Sequence, residues 1–181
     1  MDRFLASIRP YVPGCSDPWI ERAVLTSATR FCVRSRIWQQ ETEYSLAAGD
    51  QTITLTLPED SAVVAVKVSN AFRPVVNYTL AGAIIAFNDA LRGATDITVV
   101  TFLRPDREAT GLPDILYDDW FEGIEAGAKA ELMMMPGKPW TNMDMAGLNQ
   151  RQYHHEAGEA NIVANKKNSQ DVLMVRPRRF I

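Results

Sequence analysis

A chain of 181 residues, 46% of them hydrophobic, has enough apolar side chains for one core, or for one core with a satellite. Its 19 Lys and Arg against 22 Asp and Glu give a net charge of -3, which argues against a general nucleic-acid binder, since that class is usually basic. Two cysteines, Cys15 and Cys32, exclude a disulfide framework or a cysteine-built metal site and predict a reducing compartment. Residues 1–14 lack the apolar run of a signal peptide, and no stretch approaches the ~20 apolar residues of a membrane span, so a soluble intracellular product is expected.

Residues 4–8 predict a helical turn that Pro10 and Pro13 end. Asp17-Pro18 then opens a long helix, with Asp as N-cap, Pro at the first helical position and Glu21 in the first turn. Ile20, Val24, Ala28, Phe31 and Cys32 recur at three- and four-residue steps and predict one buried stripe, which Trp38 would continue. After Gln40 the period shortens to two. Residues 51–57 (QTITLTL), 62–68 (AVVAVKV), 75–80, 83–87 and 97–103 predict strands separated by turn residues. The Val-rich 62–68 segment is the candidate for a central strand, and Pro74 marks an edge or a break.

Pro113 starts a second long helix whose apolar positions are Leu116, Phe121, Ile124, Ala128, Leu132 and Met135. Its small residues Gly123, Ala126, Gly127 and Ala130 predict close approach by another helix. A glycine costs roughly 1 kcal/mol against alanine inside a helix, and tight packing is the compensation. Pro136-Gly137 ends that helix, and Thr141 or Asn142 caps a third, mostly polar one running to about Lys167. The fold class that follows is α+β. A helical body (1–40 and 105–168) carries an antiparallel β-sheet or small sandwich (41–104) between its first and second long helices, and an extended C-terminal arm (169–181) follows.

Chemistry is harder to find. His154 and His155 are neighbours on a helix, point about 100° apart and cannot share a metal ion. Asp118, Asp119 and Glu122 could act as an acid–base pair or hold a divalent ion, but carboxylates at a helix N-terminus have an electrostatic reason of their own. Phosphate-binding glycine loops and a nucleophile elbow are absent. No cofactor, no metal and no catalytic residue is therefore expected. The arm combines the apolar run Val172, Leu173, Met174 and Val175 with Arg176, Arg178, Arg179 and Phe180, a pattern suited to docking on another subunit. Nucleic-acid contact by its arginines is the competing reading.

Three stretches carry a family resemblance: VPGCSDP with the helix ending FCVRSRIW, the β insert closing at FLRPD, and LPDILYDDWFEGIEAGAKAELMMMPGKPWTN with the polar helix after it. In that order and spacing, the chain resembles the head-to-tail adaptor (connector) proteins in the neck of tailed bacteriophages, including the tubular tail proteins of short-tailed phages. The resemblance implies a structural virion protein and not an enzyme. It implies a homo-oligomeric ring, typically a twelve-fold dodecamer, that binds the portal protein, meets a tail or nozzle protein, and lets DNA pass at ejection without sequence-specific binding. The arm (Val172 to Phe180) would grip the portal, and the insert loop of Asn70, Ala71, Phe72 and Arg73 would face the tail or the next subunit. A head-completion or tail-completion protein is the alternative, and a small enzyme using Asp118, Asp119 and Glu122 is a further one. The acidic balance suits a channel that must not hold its cargo, because a negative wall repels phosphates.

Overall fold

Burial of the predicted helical stripes organises the molecule. In a computed structural model, residues 1–70, 73–75, 77–88 and 94–167 are described. The first helix, α1 (Asp2–Ile8), leads through a 3-10 turn (Arg9–Tyr11) to α2 (Asp17–Ser35). After the strands come α3 (Asp114–Asp118), α4 (Phe121–Met133) and α5 (Met143–Lys167). Phe31 of α2 and Ile124 of α4, both fully buried, belong to one core with Phe4, Ile20, Leu116, Leu132 and Ala157. The helices on either side of the strands in sequence are thus partners in space. α1 closes the core from the N-terminus, with the Phe4 ring stacked on Phe121 at a centroid distance of 4.3 Å.

The helix limits differ from the sequence expectation at three points, and one cap agrees with it. Ser16, not Asp17, is the N-cap of α2, which places Pro18 one position deeper. The helix stops at Ser35, because Arg36 adopts the left-handed conformation (φ 55°, ψ 31°) and returns its N–H to the Cys32 carbonyl at 2.8 Å. Trp38 therefore does not extend the helical stripe, although it still packs on the core from the connecting segment. The single helix expected from Pro113 is broken at Asp119-Trp120: Trp120 leaves helical geometry (φ -127°, ψ 21°), and its ring sits 5.7 Å from that of Phe31. The cap of α5 is Asn142, whose side-chain oxygen accepts from the Met145 N–H at 3.1 Å.

The strands form two antiparallel sheets. A four-stranded sheet has the order β1 (Gln39–Leu46), β7 (Thr95–Pro105), β3 (Ser61–Asn70), β4 (Arg73–Val75). A three-stranded sheet has the order β2 (Thr52–Thr54), β6 (Ile84–Phe87), β5 (Tyr78–Ala81). Ile53, Leu55, Ile85 and Phe87 from the second sheet region meet Val68, Ile97 and Val99 of the first in one cluster, so the insert is a small sandwich. β3 is interior to its sheet, as its valines predict, and a register shift between Val63 and Ala65 bulges it. The segment expected as one strand over 75–80 is two, β4 and β5, which belong to different sheets. Pro74 lies in the edge strand β4, where a missing N–H costs no ladder bond. β1 is an addition to the strands that the period of two predicts. Its sequence QQETEYSL is apolar only at Tyr44 and Leu46, which pack on the sandwich core, and it pairs with β7 from Gln39↔Phe102 to Leu46↔Thr95.

The sandwich is fastened to the body at the base of β7. Along that strand burial alternates until Val99, and then Thr101, Phe102 and Leu103 are buried in succession. Leu103 donates its N–H to the Trp38 carbonyl at 2.9 Å, and the Arg36 guanidinium lies 5.4 Å from the Phe102 ring centre. Both faces of the strand are covered there, which is why the period of two gives way to a continuous run.

Candidate functional site

The small-residue face of α4 is where three helices come closest. A Cβ added to Gly127 would lie 2.2 Å from Ser27 Oγ on α2 and 2.6 Å from Tyr153 Cδ2 on α5. A Cβ at Gly123 would lie 2.8 Å from Glu156 Cβ and 3.0 Å from Phe31 Cε2. These neighbours show that α4 runs antiparallel to both α2 and α5. Ser27, itself buried, donates its hydroxyl to the Ile124 carbonyl at 2.8 Å, which ties the two backbones at the point of contact. Ala130 continues the same face, whereas Ala126, also buried, is turned about 100° from Gly127.

Beside this contact the three helices leave a cleft of about 390 Å³, lined by Ser27, Arg30, Gly127, Ala130, Tyr153 and neighbouring side chains. Its walls are mainly apolar. Tyr153 is 8% exposed, and its hydroxyl is buried without a hydrogen-bond partner among the described residues. Burial pushes the phenol pKa up to about 12, against the opposing pull of Arg30 and Arg34. At the mouth, Arg30 pairs with Glu131 at 3.1 Å. Desolvation raises the Glu131 carboxyl above its ordinary value, with Arg30 and Arg22 pulling the other way. Arg34 donates to His154 Nδ1 at 2.7 Å, which leaves the imidazole proton on Nε2. Met134, 37% exposed, extends the apolar wall outward. A cleft of this kind can accept an apolar side chain. Tyr153 lies on the third, mostly polar helix, and its sequence context does not single it out. Its orphaned hydroxyl needs the packing of three helices to become visible.

The remaining candidates lie elsewhere. Asp118, Asp119 and Glu122 are exposed at the α3–α4 junction, and with Asp114 they form no ion pair among the described residues. No group of three or more His, Cys, Asp or Glu side chains among the described residues is placed to hold a metal ion. His155 is exposed, like His154. Cys15 and Cys32 are free and buried, and burial raises the Cys32 thiol pKa to about 12, far from a reactive thiolate. Trp140 packs on the helical core. Asn70 and Arg73 pair across the β3–β4 hairpin, while Ala71 and Phe72 lie outside the described residues. The arm residues Val172, Leu173, Met174, Val175, Arg176, Arg178, Arg179 and Phe180 lie outside them as well. Among the described residues, no helix is long and apolar enough to cross a membrane. Compared with known proteins, the chain matches no family model and no curated sequence.

Proposed function

We propose that the chain is a structural subunit of a tailed-phage neck, assembling as a ring that joins the portal to the tail and lets DNA pass through its lumen. The reading rests on the order and spacing of the three sequence stretches named above. It is supported by one observation in particular: Phe31 and Ile124 share a core, so the flanking helices form a single body from which the sandwich is an insertion. That body offers what a ring subunit needs, a rigid helical block held by interhelical contacts too tight for a Cβ, together with faces free for neighbours. In this reading the arm grips the portal, and the hairpin at Asn70 and Arg73 meets the tail or the next subunit.

The test is reconstitution. Purified chain mixed with portal protein binds it, and a chain truncated after Gln170 stays folded but no longer attaches. Binding to tail components alone would favour a tail-completion protein, and equal attachment by the truncated chain would remove the role of the arm. Catalytic turnover lost on Asp118→Asn with the fold intact would overturn the structural reading altogether.

A further inference from the structure

Strand β1 leaves one side of the four-stranded sheet open. It is the outermost strand there, and over residues 41–46 its outward N–H and C=O groups form no main-chain bond among the described residues. Nearer the body the edge is closed, where Gln40 Nε2 donates to the Thr56 carbonyl at 3.2 Å. The other edge strands, β2, β4 and β5, span three, three and four residues, whereas β1 spans eight. An edge of that length is a template for one more strand. The sandwich core is open along the same side, since Tyr44 and Leu46 pack on it yet remain half-buried.

The end of α5 lies at the foot of this edge. Arg34 meets His154, the Ser35 carbonyl accepts from Asn161 Nδ2 at 3.2 Å, and Gln39 Nε2 donates to the Ala164 carbonyl at 3.4 Å. Both segments ascend together through these contacts, so α5 ends beside the first residue of β1 and points along the strand. Five extended residues, 168–172, reach about 17 Å, enough to set Val172 beside the lower part of the open edge.

Charge favours the same pairing. Residues 37–60 carry five carboxylates and no Lys or Arg. Glu41 and Glu43 are exposed and form no ion pair among the described residues. Lys67, in the same row of the sheet as Glu41, is separated from it by Val100 on β7. The segment that follows α5 has the opposite balance, with Lys166, Lys167, Arg176, Arg178 and Arg179 against Asp171.

We propose that Val172, Leu173, Met174 and Val175 add to the open edge of β1 in the same chain, as a parallel fifth strand of this sheet. Alternate apolar side chains of the added strand cover Tyr44 and Leu46, and the flanking basic residues lie against Glu41 and Glu43. The inference goes beyond the neck reading and does not depend on it.

Amide hydrogen exchange followed by NMR tests it. Alternate N–H groups of β1 donate to β7, and the others face the open edge. In the full chain the edge-facing amides of residues 41–46 are protected to the same degree across a dilution series. Truncation after Gln170 speeds their exchange at least about tenfold, while the amides bonded to β7 exchange as before and report an intact fold. Leu173→Pro keeps the length and charge of the segment, removes a ladder N–H and has the same effect. Glu41→Lys with Glu43→Lys lowers the protection about threefold, the scale of exposed ion pairs. Edge-facing amides that exchange equally in the full and truncated chains overturn the proposal. Protection that grows with protein concentration gives the edge to the arm of another copy and overturns the contact within one chain.

Discussion

The helical body and the β sandwich reach stability by different means. The body relies on shape, with glycines set where a methyl group would collide, one hydroxyl bridging two helices and aromatic rings filling the gaps between them. The sandwich relies on generic apolar alternation, so that Ile53, Ile85, Ile97 and Val99 could each exchange with another aliphatic side chain of similar volume. The body should therefore be brittle toward added volume, and the sandwich sensitive chiefly to lost volume.

The sharpest break in that contrast is Gly127→Leu. The new side chain must displace both Ser27 and Tyr153, and we expect a loss of more than about 4 kcal/mol in urea denaturation, or no folded protein at all. A neutral result would remove the close-packing account of α4. Next come paired truncations. Phe31→Ala in the body should cost roughly 3–5 kcal/mol, and Ile85→Ala in the sandwich roughly 2–5 kcal/mol. If the two regions form one cooperative unit through β7, both variants will keep a single transition. A biphasic curve for Ile85→Ala would instead show the sandwich unfolding alone.

Alkaline pH probes the body separately. The Cys32 thiol titrates near 12 when folded, against an ordinary value of 9.0 for an exposed thiol, so above pH 9 the unfolded chain loses this proton first and stability falls. The loss from Cys32 goes on up to about pH 12, and Tyr153, raised from 10.0 to about 12, adds to it between pH 10 and 12. Cys32→Ala should flatten the decline in urea midpoint between pH 8 and pH 11, and an unchanged slope would contradict the buried, neutral thiol. The smallest effect is at the cap: Asn142→Ala should cost about 1 kcal/mol, read as a small fall in melting temperature.

The parts of this architecture legible in the sequence were those set by local chemistry. Proline and acidic residues marked the start of α2, Asn142 capped α5, and the periods of three to four and of two separated helices from strands. The glycines of α4 announced a close neighbour without naming it. What stayed hidden depended on distant partners. β1 is an edge strand whose first five residues are polar, and the ladder offered by β7 carries it there. The break at Trp120 follows from the ring's place against Phe31, on a helix that precedes the whole sandwich in the chain. The Tyr153 cleft, likewise, is a property of three helices that no single helix shows.

The way the chain enters and leaves the sandwich has a consequence for what can vary. Gln39 and Phe102 face each other as register partners, and antiparallel neighbours of that kind lie only about 5 Å apart at Cα. What lies between them is a cassette on a two-strand stem, with a second tether where Asp60 and Ser61 meet Asp106, Thr110 and Pro105. Such a unit can be lengthened, trimmed or exchanged for another with little demand on its host, provided the stem keeps its spacing. Related scaffolds could therefore present quite different tips from one unaltered base.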